Sequence, residues 1–593
     1  MGGLLVCLER EGCAPLQSPL LAMAGDGGRR GKVKVCSDGS LALGSCRLEF
    51  EEEPLASSPE AVAAVHGYFF GPSGGSAAPA LVDGYREEGE AFLRQVDGEF
   101  AFALWDRRTR TLYLCRDSFG TKPLFYACDG RRLAVASEIR QVLRSGVVTA
   151  SANRSRLAAD LGMGESAPEE TLFAGVHRVL PSRLLRFGPT LAREGVVTWT
   201  PPTTIDPRRT EEDVLDELPR LLSRSIARRH WRKPALTLSS GLDSASVAGI
   251  VASDEGLRER FSAGDRPLAV TLSYPGWDCD ETSETGRLAE RFSMALAVVD
   301  ATGADPVETA GELAEASDQT YGSTGYGALL VLREARRRGH ESLATGIGAE
   351  YSWETAPGLA ADLLRQRRWG RLLGETRERE GPKDGGVAAS LWRDALRPWI
   401  GEGLRRSGLR GGRNASGPSE SRAWESLMWR SKAAQLAGLQ TGTLIEFLEQ
   451  LGVHEGVEMV YPYLDREMLD FAFRTPPQLV GTLKNKKRLL SRAMARRYPD
   501  AVWERPKTPS PDPFVAKSLQ SVPDRLGPAS GWRLPALLPL DAERRDLLRR
   551  VGAREPLEFP SLAWDLVCQE FWIRRHFSEE SFAGETRGRA AVA

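Results

Sequence analysis

Residues 235–250 read Ala-Leu-Thr-Leu-Ser-Ser-Gly-Leu-Asp-Ser-Ala-Ser-Val-Ala-Gly-Ile, an apolar strand that runs into a Ser/Gly turn and then a helix start. Thr237 and Leu238 close the strand. Ser239, Ser240 and Gly241 bring backbone N–H groups and hydroxyls, and the helix that follows points its positive end at whatever anion sits there. The expected guest is pyrophosphate. Asp243 on its own would repel a phosphate, so its presence calls for a cation between them, and Mg²⁺ is the one expected. The Gly-Lys-Ser/Thr ending of a P-loop is missing. That favours ATP cleaved between its α and β phosphates, leaving an AMP-activated carboxylate, over simple γ-phosphate transfer. A plain Ser/Gly turn with a capping aspartate would read the same way, so the decision rests with the rest of the chain.

The elements that must hold this turn are spread over 593 residues, a length that implies two to four domains, and the 41% hydrophobic content can fill their cores. A net charge of −1 gives no global attraction to nucleic acid or an anionic membrane. Eight scattered cysteines and six isolated histidines show neither zinc spacing nor a disulfide framework, which fits a reducing cytoplasm. No apolar run is long enough to span a bilayer. Up to about residue 200 the chain reads as strand-rich, with stretches such as Phe100 to Trp105, Thr111 to Cys115 and Leu133 to Val135 between Asp/Gly/Arg turns. The Pro-dense segment from Thr200 to Pro207 disfavours helix and central strand, and divides a first domain, residues 1–205, from a second, residues 210–593. Beyond it, strands at 235–238, 268–273 and 342–345 alternate with helical patterns, which argues for a parallel α/β sheet with its ligand at the carboxyl ends of the strands. From about residue 355 the pattern is mostly helical, with a Gly/Ser-rich loop at 411–420.

Further segments join the cradle in a recognisable order. Asp97-Gly98-Glu99-Phe100-Ala101, Arg116 to Tyr126 and Ala136-Ser137-Glu138-Ile139 are followed by Ser239 to Ser244, Thr345-Gly346-Ile347-Gly348-Ala349-Glu350, Glu458 to Asp465, Lys487 to Leu490, and Arg505-Pro506-Lys507. Together they resemble the asparagine-synthetase-like amidotransferase superfamily over nearly the whole chain. The resemblance implies an α/β protein: an N-terminal glutaminase-like, Ntn-type β-rich sandwich, then an ATP-pyrophosphatase parallel α/β sheet with a helical remainder. It also implies roles. Ser239, Gly241 and Ser244 would hold the pyrophosphate, Ser240 and Gly346 would join the nucleotide-binding set, Asp243 and Glu350 would bind Mg²⁺, and Leu272 would offer backbone contacts to adenine. Lys487 would stabilise negative charge developing on the phosphates or the tetrahedral intermediate. For Asp280 and Glu281, helix capping is the safer reading.

The departures narrow the function. Glutamine-using members carry a cysteine at residue 2, where this chain has Gly2, and Cys7 lies inside an apolar strand, where packing is its expected role. His66-Gly67-Tyr68 stands where the resemblance calls for an Asn-Gly-Glu turn, so the first domain is expected to lack glutaminase activity and to act as scaffold. In the loop 345–350, Ile347 occupies the position of a Glu in asparagine synthetases and a Tyr in β-lactam synthetases; an aliphatic group moves no proton. Val460 replaces a frequent arginine and Glu350 an aspartate. An absent nucleophile, retained ATP activation and the Arg/Trp-rich stretch after residue 360 most resemble lasso peptide cyclases. These adenylate an Asp or Glu side chain of a ribosomal precursor peptide and join it to the peptide's N-terminal amine as an isopeptide bond. The implied cofactors are ATP and Mg²⁺. The implied partners are the linear precursor peptide, a leader peptidase and a leader-recognition protein, with no nucleic acid and no membrane. Arg365 to Arg371, continued by Arg393, Arg397, Arg405, Arg406 and Arg410, would meet an acidic peptide or simply face water. Two alternatives stand beside this reading: closure of a small amino acid derivative in the manner of a β-lactam synthetase, and a catalytically silent peptide-binding relative.

Overall fold

Along the strand Gly3–Glu9, Leu4, Val6 and Leu8 alternate with Leu5 and Cys7, and both sets are buried because each face of the strand meets a different apolar layer. The protein was analysed as a computed structural model, which describes residues 3–9, 20, 22–23, 32–38, 41–47, 54–71, 76–262, 266–320, 323–379, 386–406, 424–499, 503, 511–557 and 559–577. In the first 200 residues two six-stranded antiparallel sheets face one another. One centres on Gly3–Glu9 between Arg132–Ala136 and Leu41–Arg47; the other centres on Thr111–Arg116, Gly98–Asp106 and Ala61–Phe69. Leu4, Val6, Leu112, Leu114, Trp105 and Phe187 fill the space between them. Helix Ala77–Glu88 covers the outer face of the second sheet. This is the β-rich sandwich that the family resemblance implies.

The outer face of the first sheet is closed from far along the chain. Leu5, Cys7, Phe125 and Ala134 share a core with Leu534, Trp564, Val567 and Trp572, so the helix Pro560–His576 and its neighbours complete the amino-terminal domain. The Pro-dense connector forms neither helix nor strand.

Beyond the connector lies a five-stranded parallel sheet in the order Ala295–Asp300, Leu268–Ser273, Pro234–Thr237, Ser342–Ala344, Glu458–Val460. The expected strands at 235–238 and 342–345 begin or end one residue away from those positions, and 268–273 is as expected. Two strands escape the sequence pattern. Glu458–Val460 is three residues long, and Ala295–Asp300 is an edge strand with exposed positions that blur its period. Chain order reverses between Pro234–Thr237 and Ser342–Ala344, the point where an open parallel sheet leaves a crevice outside its carboxyl ends.

The two halves are joined by buried ion pairs. Arg116 and Arg178 both meet Glu446, Arg229 meets Glu99, and Lys122 meets Glu458. Several residues of the amino-terminal signature thus serve the contact between the halves.

Candidate active site

Both loops that carry the predicted chemistry leave the sheet at that crevice. The first follows Pro234–Thr237 and enters helix Leu242–Ser253, with Gly241 as N-cap and Asp243 in the first turn. The second follows Ser342–Ala344 and enters the short helix Ala349–Ser352, with Glu350 in its first turn. Gly346 packs the loops together: a Cβ built there would lie 2.5 Å from the Ser244 nitrogen and 2.7 Å from the Asp243 carbonyl carbon. Those are backbone atoms that cannot swing aside. Gly346→Ala is therefore expected to cost about 1–3 kcal/mol of stability and to push Asp243 out of register. Denaturant unfolding with ATP-dependent turnover checks this; turnover equal to the parent protein would contradict it.

Lys487, the residue before helix Arg488–Arg497, reaches across the crevice. Its Nζ lies 2.5 Å from Asp243 Oδ2 and 3.3 Å from Glu354 Oε2. Burial works against the charge on Lys487, but Asp243 and Glu354 together raise its pKa. Burial also lifts the Asp243 carboxyl above the usual carboxylate range; Lys487 opposes the shift and Glu354 adds to it. Glu350 is raised too, first by burial and in smaller part by Asp243, while its Oε2 accepts the Gly348 N–H at 2.9 Å. Asp243 Oδ1 is buried and has no hydrogen-bond partner among the described residues. Two carboxylates held against their own charge, one with an orphaned oxygen, fit a divalent cation that takes its remaining ligands from phosphate and water. Among the described residues no group of three His, Cys, Asp or Glu side chains converges on a closed metal site, so only this open arrangement applies.

The cradle itself differs from the expectation of outward-facing amides. Ser239 N donates to Ser244 Oγ at 3.0 Å, Gly241 N to Ser239 Oγ at 3.1 Å, and Ser240 N to Glu281 Oε2 at 3.0 Å. The cause is local, because a part-buried N–H takes the nearest acceptor. A phosphate bound at Ser239, Ser240 and Gly241 would therefore have to exchange these bonds. Leu272 sits at the carboxyl end of the neighbouring strand and packs toward Gly327 on helix Ser323–Arg337. Asp280 caps locally, accepting from Thr282 N and Thr282 Oγ1, as expected. Glu281 instead crosses to Ser240.

Three neighbours carry no sequence signal strong enough to single them out. Glu354 stands four residues after Glu350, a spacing that brings two side chains to one side of a helical turn and could have flagged it. Glu281 looked like a capping residue, and Lys432 is one basic residue among many. Arg505 to Lys507 lies outside the described residues.

At the amino-terminal site, Cys7 is buried beside Met23, and burial pushes its thiol up to about 12. At pH 7 on the order of one such thiol in 10⁵ is ionised. Iodoacetamide is expected to leave Cys7 unlabelled in the native protein and to label it after denaturation; rapid native labelling would contradict the packing role. Tyr68 donates to Glu99 Oε2 at 2.6 Å and stacks on His230 with centroids 4.1 Å apart.

The Arg/Trp-rich stretch is largely surface. Trp369, Trp392 and Trp399 are about half exposed on consecutive packed helical segments. Arg371 pairs with Glu375 and Arg393 with Asp394, leaving Arg367 and Arg368 exposed. The side chains of Arg405, Arg406 and Arg410 lie outside the described residues. No helix among the described residues is long and apolar enough to cross a membrane.

Comparison with known proteins agrees with this geometry. Residues 73–195 match the glutamine amidotransferase domain family, and residues 217–536 match the asparagine synthase family. An amidase, chyE, from Penicillium rubens is 29% identical over 294 residues, 48% of this chain and 43% of its own length. Asparagine synthetase [glutamine-hydrolyzing] 3 of Bacillus subtilis is 29% identical over 29% of this chain and 28% of its own. A putative asparagine synthetase of Mycobacterium bovis is 32% identical over 31% of this chain and 29% of its own. The chain thus spans less than half the length of each of these relatives.

Proposed function

The chain belongs to the asparagine synthase family, and from that premise we propose that it is an ATP-dependent, amide-forming ligase that releases AMP and pyrophosphate. One observation carries the reading: the buried, unpartnered Oδ1 of Asp243, set beside Lys487 and Glu350 at the switch point of the parallel sheet. A free carboxylate is a poor acyl electrophile, whereas a carboxyl–AMP anhydride has a good leaving group. Asp243 and Glu350 would hold Mg²⁺, which supplies neutralising charge for the phosphates when bound. The loop residues Ser239, Gly241 and Ser244 would orient the pyrophosphate, and the Lys487 ammonium would meet negative charge as it develops.

We further propose that the acid and the amine belong to one linear precursor peptide, so that the product is an isopeptide macrocycle of the lasso type. The buried Cys7, whose thiol is pushed up by burial, supports an amine that does not come from glutamine. The half-exposed tryptophans and the exposed Arg367 and Arg368, unpaired among the described residues, offer a surface that an acidic peptide would fit. Holding both reacting ends in one cleft makes the encounter intramolecular, an effect worth up to ~7–11 kcal/mol. The proposed setting is a reducing cytoplasm, which the six unpaired cysteines among the described residues support, with a leader peptidase and a leader-recognition protein as partners. Incubation with ATP and a linear peptide bearing a free amino terminus and an acidic side chain tests the reading. A peptide mass lower by one water, with AMP and pyrophosphate in equal amount, supports it; ADP and inorganic phosphate would contradict it.

A further inference from the structure

We propose that Lys432 is the group that takes the proton from the attacking amine as the amide bond forms. This rests on the amide-forming reading above. Lys432 lies on helix Leu427–Leu436, which packs against Ala349–Ser352, the short helix that carries Glu350. The helix is firmly placed: Ser426 caps it through Trp429 N at 3.1 Å, and the buried Asp362 accepts from Ser426 Oγ, Leu427 N and Met428 N at 2.6, 2.9 and 3.1 Å. Lys432 is 3% exposed and makes no hydrogen bond or ion pair with a described residue.

The charged groups that face it are those of the site. Burial dominates and pushes its amine down to about 8; Glu354 and Glu350 pull the other way, and Lys487 and Lys486 add to the lowering. The other titratable groups nearby are engaged or held protonated, the Tyr463 phenol beside Asp243 by burial that keeps it well above its ordinary value. Asp243 and Glu354 are tied to Lys487, Glu350 accepts from Gly348, and Ile347 offers no proton chemistry. Lys432 is left as a buried base whose neutral form is populated near physiological pH, the range in which a general base works best.

The step balances. The amine nitrogen attacks the acyl carbon of the carboxyl–AMP anhydride and a C–N bond forms. The C–O bond to AMP breaks and AMP leaves with the electron pair. The proton lost by nitrogen passes to Lys432 Nζ and then to water.

Lys432→Met and Lys432→Arg test this, the second because a guanidinium keeps the charge and bulk but does not deprotonate. Both are expected to slow amide formation by ~10²–10⁴-fold, while peptide-dependent ATP–pyrophosphate exchange falls far less. Hydroxylamine, largely neutral at pH 7, is expected still to trap the activated acid as a hydroxamate. In the parent protein amide formation should rise with pH through about 8, the value toward which Lys432 is displaced, and both variants should lose that inflection. An independent readout is NMR titration of the reductively ¹³C-methylated protein, with the Lys432 signal assigned by its loss in Lys432→Met. A midpoint near 8 supports the assignment. A midpoint in the ordinary lysine range, unchanged amide formation in either variant, or exchange and product falling in parallel would overturn it. No peptide-dependent exchange in the parent protein would instead overturn the amide-forming reading, and this proposal with it.

Discussion

Asp243→Ala is expected to reduce pyrophosphate release by at least ~10²–10³-fold, the range seen when a preorganised electrostatic partner of a reacting group is removed, with the fold intact. The carboxylate is part of no core. Its Oδ2 serves Lys487 and its Oδ1 serves nothing among the described residues, so folding gains little from it. Removing it also frees Lys487 to lean on Glu354 alone, 3.3 Å away, which shifts the ammonium from where the phosphates would need it. Asp243→Asn keeps the shape and loses the charge, and should lose activity nearly as far. The check is pyrophosphate release beside a denaturation curve: lost release with an unchanged midpoint is the expected pair. Release within twofold of the parent protein would remove Asp243 from the reaction.

The largest expected effect on stability falls on a residue outside the site. Glu446 is fully buried and accepts from Arg116 at 2.9 Å, Arg178 at 3.1 Å and Gln319 at 3.1 Å. Burial opposes its charge, yet Arg178 and Arg116 hold its pKa below the usual carboxylate range. Glu446→Ala strands two buried guanidinium groups between the halves of the molecule, a loss worth about 3–5 kcal/mol. Because the folded carboxyl is depressed, its contribution is present above the unfolded pKa and fades as the pH falls through the folded value. Urea unfolding at neutral pH should therefore separate parent and variant clearly, and the gap should narrow in acid. A difference below 1 kcal/mol, or one independent of pH, would show that these charges do not hold the halves together.

Local pattern revealed most of the catalytic half. Leu268–Ser273 is a run of β-favouring residues bounded by turns, and Ser239 to Ser244 joins a strand to a helix, so the crevice followed from chain order alone. Lys487, more than 200 residues away, came from motif order, since no local signal sends a lysine in a basic run back to Asp243. Lys432 and Glu354 remained hidden because their significance lies in burial and charge beside Lys487 and Glu350, a long-range property. The same holds for helix Pro560–His576, whose apolar face reads as ordinary helix core although its partner is the first strand of the chain. Internal closure of the phosphate loop was hidden too, because Ser239 and Ser244 look identical in sequence whether their hydroxyls point outward or at neighbouring amides.

Isotope transfer decides whether Asp243, Lys487 and Glu350 serve carboxylate activation. A linear peptide whose acidic side chain carries ¹⁸O is incubated with ATP and the protein, and the AMP is analysed by mass spectrometry. One carboxylate oxygen should appear in the phosphoryl group of AMP for each amide formed, because activation joins that oxygen to the α-phosphorus and attack by the amine then breaks its bond to the acyl carbon. AMP free of label, or nucleotide released only as ADP, would mean that this crevice does not activate the acid as an adenylate.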